Sequence, residues 1–334
     1  MPRLARHFFL LCALGVLGCG EPSPAPPSTL TDDLGRSLDV EVPVENVLTL
    51  APNLTELLFA IGRGEALVGA SAADTYPPGL DSLPQFGTYP LDAEAVVALQ
   101  PDLVLATDQV NNPDDADALA EAGVPTYFFR FTSIEDVPRA ARRLGELLDA
   151  EASADSAAAA FEARMARLTA QTSSLDRPRV LLLIGGETLF AFGDASYTQQ
   201  LIEIAGGESV TAHFSGEAVT LSEEFVLEAM PDVIVGAFGP DYEPAKLTAL
   251  HPAWHPIPAV REGHVYGIDP DLLLRPGPRL ADGAETLARL LHPELGAGER
   301  VSGRMKGREN NDPQQAHPLF LTLSPFLPLS PVSP

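Results

Sequence analysis

One unit of this sequence is written twice. "DAEAVVALQPDLVLA" spans residues 92–106 and "LSEEFVLEAMPDVIVG" spans 221–236. In each, a glutamate (Glu94 or Glu224) stands seven residues ahead of a Pro-Asp pair, and an apolar run follows. A short helix feeding a buried strand is one piece of an α/β sheet. Its return 130 residues later, with glutamate and proline at the same offset, predicts two related α/β lobes.

The surrounding sequence supports that reading. "NVLTL" (46–50) and "ALVGA" (66–70) read as strands around a short helix, "LTELLFAIG" (54–62), with Asn53 as N-cap and Gly62 as its stop. "DLVLA", a helix over 115–123 and the strand "TYFF" (126–129) follow. Strands alternating with helices imply a parallel sheet covered on both faces. The second half replays the pattern with "RVLLLI" (179–184), a helix over 197–207, "PDVIVG" (231–236) and "GHVYGI" (263–268). Between the halves, Ala157, Phe161, Met165 and Leu168 form one helical stripe in an alanine-rich segment, 153–174. Such a helix spans roughly 30 Å; it is either a stiff connector between lobes or a surface helix of the second lobe.

The termini set the boundaries. Arg3 and Arg6 precede a short apolar run, 8–18, and "VLGC" ends at Cys19. A small residue before a cysteine at that place resembles a bacterial lipobox, which implies cleavage before Cys19 and lipidation of its thiol; the alternative is an ordinary signal peptide with a chance cysteine. The expected segments are a signal (1–18), an anchor and Pro-rich tether (19–30), an N-terminal lobe (31–133), connecting helices (134–177), a C-terminal lobe (178–296) and a proline-broken, disordered tail (297–334). Of the two cysteines, Cys12 leaves with the signal, so no disulfide is expected in the mature domain.

Charge and missing motifs narrow the function. Forty-six acids against 21 bases give a net charge of −25, which argues against a nucleic-acid partner. No G-x-S-x-G, H-E-x-x-H or G-x-x-x-x-G-K-[ST] occurs, so no enzyme class is indicated. No metal site is expected: beyond His7, the first histidine is His213, and His251 and His255 sit among prolines as loop residues, with a zinc pair the minor option. From Ser37 to Phe129 the one basic residue is Arg63, and from Val180 to Val260 it is Lys246. A cleft for a highly anionic ligand calls for more Arg and Lys than that.

"LTLAPNLTELLFAIG", "TYPP", the twin units and "LLLRPGPRLADGAETLARLLHPE" together resemble the substrate-binding proteins of ABC importers for vitamin B12, iron-siderophores and haem. The resemblance covers roughly residues 30–295 and is nearest to the B12-binding branch. It implies two Rossmann-like lobes with central parallel sheets joined by a single long backbone helix, the class III periplasmic binding protein fold. It implies no enzyme and no cofactor; the cargo would be cobalamin or a related cobalt corrinoid. By the branch's pattern Tyr89 and Phe190 stand where aromatics meet the corrin, and Asp271 and Arg275 match an acid and a base lining the cleft. Asn53, Tyr76 and Gln109 complete the expected ligand-binding set. Without the resemblance, Tyr89 and Phe190 read as core packing and Tyr76 as a loop residue; Trp254 is assigned to the core of the second lobe. Ala73 and Ala218 depart from the pattern, standing where aromatics are expected.

Glu94 and Glu224 each suit a helix N-terminus, worth about 0.3–1 kcal/mol against the helix dipole. The resemblance adds that one glutamate from each lobe docks on arginines of the importer's membrane subunits. The expected protein is a monomeric lipoprotein on the periplasmic or extracytoplasmic face of a membrane, delivering its ligand to an ABC permease. A ferric-siderophore or haem binder on the same scaffold is the alternative. An enzyme around a metallocofactor would need Cys or His ligands from both lobes, and the first has none. An adhesive lipoprotein would leave the aromatic positions unexplained.

Overall fold

The computed structural model describes residues 28–88 and 90–296. Its first element is a hairpin of β1 (Ser28–Thr31) and β2 (Ser37–Val40), paired antiparallel. The Asp32 carboxylate closes the turn by accepting from the amides of Leu34 (3.0 Å) and Arg36 (2.8 Å).

The N-terminal lobe then runs β3 (Val47–Thr49), α1 (Pro52–Ala60), β4 (Leu67–Ser71), β5 (Gln85–Phe86), α2 (Ala93–Ala98), β6 (Leu103–Thr107), α3 (Pro113–Glu121) and β7 (Thr126–Phe129). The sheet order is β5-β4-β3-β6-β7 and every pairing is parallel. Alternation along the strands divides their side chains between two cores. Leu103, Leu105, Tyr127 and Phe129 join the core shared with the connecting helices, while Val104, Ala106 and Phe128 pack under α2 and α3. One local expectation is corrected. Extended Ala51 is the N-cap of α1 and Pro52 holds the first helical position, where its missing N–H costs nothing. Asn53 is therefore inside the first turn, and its side chain is free to act elsewhere.

Two helices lead out of this lobe. α4 (Asp136–Leu147) lies along α5 (Glu151–Thr172), and Gly145 permits the close approach: a Cβ there would stand 2.5 Å from Ala154 Cβ. The 22 residues of α5 reach about 33 Å. Its buried face is Ala154, Ala158, Phe161, Met165, Leu168 and Thr172. Near its start the Ser153 hydroxyl donates to the carbonyl of Ile61 in the first lobe (2.6 Å). At its end the Thr172 hydroxyl donates to the carbonyl of Ile204 in the second (2.9 Å). The long helix is thus a connector anchored to both lobes.

The C-terminal lobe comprises β8 (Arg179–Leu183), β9 (Phe190–Phe192), α6 (Tyr197–Ile204), β10 (Glu208–Ser209), β11 (Ala218–Thr220), α7 (Glu223–Ala229), β12 (Val233–Gly236), α8 (Pro244–Leu250), α9 (Pro258–Glu262), β13 (Val265–Gly267), α10 (Pro270–Leu273) and α11 (Leu280–Leu291). Its order is β11-β9-β8-β12-β13, with β10 beside the start of β8. β10, β8, β12 and β13 pair parallel, but β9 and β11 run antiparallel, so this sheet is mixed and replays the first only in part. The physical reason is the short connection after β8, which folds back as a hairpin instead of crossing over through a helix. Trp254 is fully buried in this lobe's core.

The twice-written unit has the same build in each lobe. Asp92 caps α2 by accepting from the amide of Ala95 (3.0 Å), and Ser222 caps α7 by accepting from that of Phe225 (3.2 Å). Each helix exits through a left-handed residue, Gln100 (φ 50°) or Met230 (φ 43°), just before the proline. Proline disfavours α-helical geometry in the residue before it, so the helix must stop there. The next strand, β6 or β12, enters its sheet beside the central strand, β3 or β8.

Candidate interlobe binding site

The carboxyl ends of β6, β7 and β8 face one another across the lobes and open into a partly enclosed pocket of about 660 Å³, a figure that includes the space at its open mouth. Gln109, Val110 and Phe131 supply the first lobe's wall; Ile184, Phe192, Tyr197, Glu217, Ala218 and Leu274 are prominent in the second's. Ligands of parallel α/β sheets sit at that end, because strands stop and loops converge there.

Local structure fixes the walls. Gln109 is half-buried, and its amide donates to the carbonyl of Phe131 (3.0 Å), tying two wall segments together. Tyr197 opens α6 and is buried, its hydroxyl donating to the carbonyl of Leu273 (3.0 Å); burial pushes its ionisation upward, so it stays a neutral phenol. Phe192 lies 6.5 Å from Tyr197 between ring centroids, a tilted aromatic pair. At the polar edge, Arg130 grips Asp108 through two nitrogens, at 2.7 and 2.8 Å. Glu217 is raised above the usual carboxylate range, first by burial and then by the negative charge of Asp108. The cation beside the pocket is therefore already paired, and an acid faces it.

The expected ligand residues separate into groups. Gln109 lines the pocket. Phe190 is half-buried on β9, on the same strand face as Phe192, and Phe192 is the one on the pocket wall. Ala218 lies on that wall, where the resemblance leads one to expect an aromatic. Asn53, Asp271 and Arg275 are engaged between the lobes: Asn53 donates to the carbonyl of Pro276 (3.2 Å), Asp271 accepts from Thr75 (3.0 Å), and Arg275 donates to Thr75 (3.1 Å) and to the carbonyl of Ala73 (3.0 Å). Tyr76 is exposed, with its ring under the Arg279 guanidinium at 4.5 Å. Tyr89 and Cys19 lie outside the described residues, as do the signal and tail assignments.

Glu94 and Glu224 are both exposed, each in the first turn of its helix. Glu224 is held below the usual carboxylate range by its own amide and the Ser222 hydroxyl. His251 is buried and stacks on Trp254 (4.3 Å between centroids), with its ring nitrogens 3.0 Å from Glu223 and 2.8 Å from the carbonyl of Gly186. Among the described residues no group of three or more potential metal ligands converges, and no helix is long and apolar enough to cross a membrane.

Sequence reasoning missed Phe131, Phe192, Tyr197 and Glu217, and the Asp108–Arg130 pair. Phe131 and Arg130 follow directly on β7, and Asp108 on β6, so the ends of the predicted strands marked them. Phe192 and Glu217 depended on the antiparallel β9–β11 pairing, which the α/β pattern did not announce.

Comparison with known proteins agrees with this architecture. Residues 47–272 match the family model described as periplasmic binding protein. The chain is 29% identical over 250 residues to a vitamin B12-binding protein of Pectobacterium carotovorum, covering 74% of this chain and 88% of that protein. It is 27% identical over 303 residues to an uncharacterised ABC transporter substrate-binding lipoprotein of Bacillus subtilis, covering 85% and 95%. A periplasmic haem-binding protein structure from Pseudomonas aeruginosa superposes with a TM-score of 0.67 at 28% identity, covering 75% and 93%. With the family model spanning most of both lobes, the chain belongs to the periplasmic binding protein family.

Proposed function

We propose that this protein is the extracytoplasmic receptor of an ABC importer and carries cobalamin or a related corrinoid in its interlobe pocket. The observation that carries this reading is the pocket's chemistry: apolar and aromatic walls from both lobes, with an edge where Arg130 is already neutralised by Asp108 while Glu217 stands by. A corrinoid is bulky, roughly neutral and rimmed with amides, so it needs apolar faces and scattered polar groups. The B12-binding relatives support the same ligand. No bond is made or broken here; the protein captures, orients and releases, and ATP hydrolysis belongs to the importer. Glu94 and Glu224 present one carboxylate per lobe to the permease, and lipidated Cys19 holds the monomeric receptor at the membrane.

A ferric-siderophore or haem cargo is the second reading, favoured by the likeness to haem-binding structures. An anionic cargo gains little at this edge, where Arg130 is already taken by Asp108 and the acid Glu217 stands beside it. Calorimetric titration with cyanocobalamin, cobinamide, haemin and a ferric siderophore decides between them. Micromolar or tighter binding of a corrinoid is expected; silence with both corrinoids and clear heat with an iron ligand overturns the assignment.

A further inference from the structure

Glu56 has a problem that its own lobe cannot solve. It sits on α1 with its side chain 1% exposed, and a buried carboxylate needs a partner. Of the lobe's bases, Arg63 faces Glu65 at 3.6 Å, Arg36 pairs with Asp32 and Arg130 pairs with Asp108. The counter-charge comes from the other lobe. Arg279 meets Glu56 through two nitrogens, at 2.6 and 3.0 Å, and Arg275 approaches it to 4.0 Å.

The surrounding groups close this contact on every side. Asp271 pairs with Arg275 at 2.8 Å and lies 3.7 Å from Arg279, with Asp74 and Asp269 as further acids close to the two arginines. Thr75 of the first lobe sits between Asp271 and Arg275, donating to the one (3.0 Å) and accepting from the other (3.1 Å). The Asn53 amide reaches Pro276, and the Tyr76 ring covers Arg279. The arginine forks suit this work, since each spends several donors in fixed directions. Leu274, one residue before Arg275, lies on the pocket wall. The spacing of the two lobes at this point therefore sets how wide the pocket can be.

We propose that Glu56, Asp271, Arg275 and Arg279 are positioning residues: a polar clasp that fixes the interlobe distance beside the pocket and leaves Asp271 and Arg275 committed to the opposite lobe instead of to ligand. The clasp then adds a fixed tie to those the lobes already have through α5 and the Ile134–Gln200 bond, and ligand enters and leaves without the clasp opening. The consequence for ligand exchange rests on the proposed function; the clasp itself does not.

The test uses a disulfide as a reporter. A Cβ on Gly277 would stand 3.4 Å from Asn53 Cβ, close to the span of about 3.5–4.5 Å that a disulfide needs. In the full chain with Cys12→Ser and Cys19→Ser, the pair Asn53→Cys and Gly277→Cys should cross-link rapidly under mild oxidant without ligand. Adding Arg279→Ala should slow cross-linking at least tenfold, Arg279→Lys should recover part of the rate, and Thr75→Val, which removes one hydroxyl, should fall between. Trp254 emission checks that each variant is folded, and Thr75→Val stands in if Arg279→Ala is not. Unchanged cross-linking in Arg279→Ala, or in Thr75→Val where it stands in, overturns the clasp. Cyanocobalamin should bind and leave the oxidised and reduced double-cysteine proteins at rates within twofold. Release at least tenfold slower from the oxidised form shows that the clasp must open, and contradicts the proposal. If neither form binds cyanocobalamin, the ligand assignment fails while the cross-linking rates still decide the clasp.

Discussion

Asp102 and Asn46 hold each other by a reciprocal pair of bonds. The Asp102 amide donates to the Asn46 carbonyl (2.9 Å), and the Asp102 carboxylate accepts from the Asn46 amide (2.8 Å). Asp232 and Arg179 repeat this in the other lobe, both bonds at 2.9 Å. The aspartate of each Pro-Asp pair thus pins the start of the neighbouring strand, β3 or β8, to the start of β6 or β12. Proline ends the helix, and aspartate sets the register of the strand that follows.

Asp102 also accepts from the amide of Glu45 and the side chain of Asn46, both at 3.2 Å. Asp102→Ala should therefore destabilise the protein by about 1–2 kcal/mol, and Asp232→Ala, which loses fewer bonds, by less. Urea unfolding of the two variants checks the order. Equal losses would mean that the extra bonds at Asp102 contribute nothing.

Asp74 is buried near the clasp. Thr55 donates to one of its oxygens (3.2 Å), and the other has no partner among the described residues. Burial pushes its ionisation from the ordinary carboxylate range up to about 7. The folded form then keeps a proton that the unfolded chain has lost, so stability falls as pH rises from about 4 toward 7. Asp74→Asn should remove that decline and raise stability at pH 8 by about 2 kcal/mol. Thermal unfolding from pH 4 to pH 8 measures it; parallel curves for variant and wild type contradict the assignment.

Glu94 and Glu224 lie at equivalent points of the two lobes, exposed and not among the pocket-lining residues. Replacing both with alanine should leave ligand affinity within about twofold and reduce uptake by an importer-expressing cell at least tenfold. Each single variant should fall between. Intact uptake in the double variant would reduce both residues to helix N-terminal acids, worth about 0.3–1 kcal/mol each.

The lobes and the connector were legible because strand and helix periods are local. "TYFF" is β7 residue for residue, and three of the four stripe residues, Phe161, Met165 and Leu168, are on the buried face of α5, with Ala158 rather than Ala157 beside them. The site was less legible because it depends on contacts between distant segments. Asn53 reads as a helix cap, yet Pro52 takes the first turn and leaves the Asn53 amide for Pro276, 223 residues away. Asp271 and Arg275 read as cleft residues, and nothing local shows that Thr75 and Glu56 claim them. The scarcity of bases in the first lobe was visible in the sequence. Its structural meaning, a buried acid that must borrow a cation, was visible only once Glu56 was seen to be buried.

A corrinoid in the interlobe pocket must press against Phe192. Phe192 lies on the pocket wall beside Tyr197, and its loss should remove about 1–2 kcal/mol of apolar contact. Titration of cyanocobalamin into wild type and Phe192→Ala, each confirmed folded, tests this most directly. The prediction is one site in wild type and affinity about tenfold weaker in the variant. Equal affinity in the two, or no binding by wild type, would contradict it.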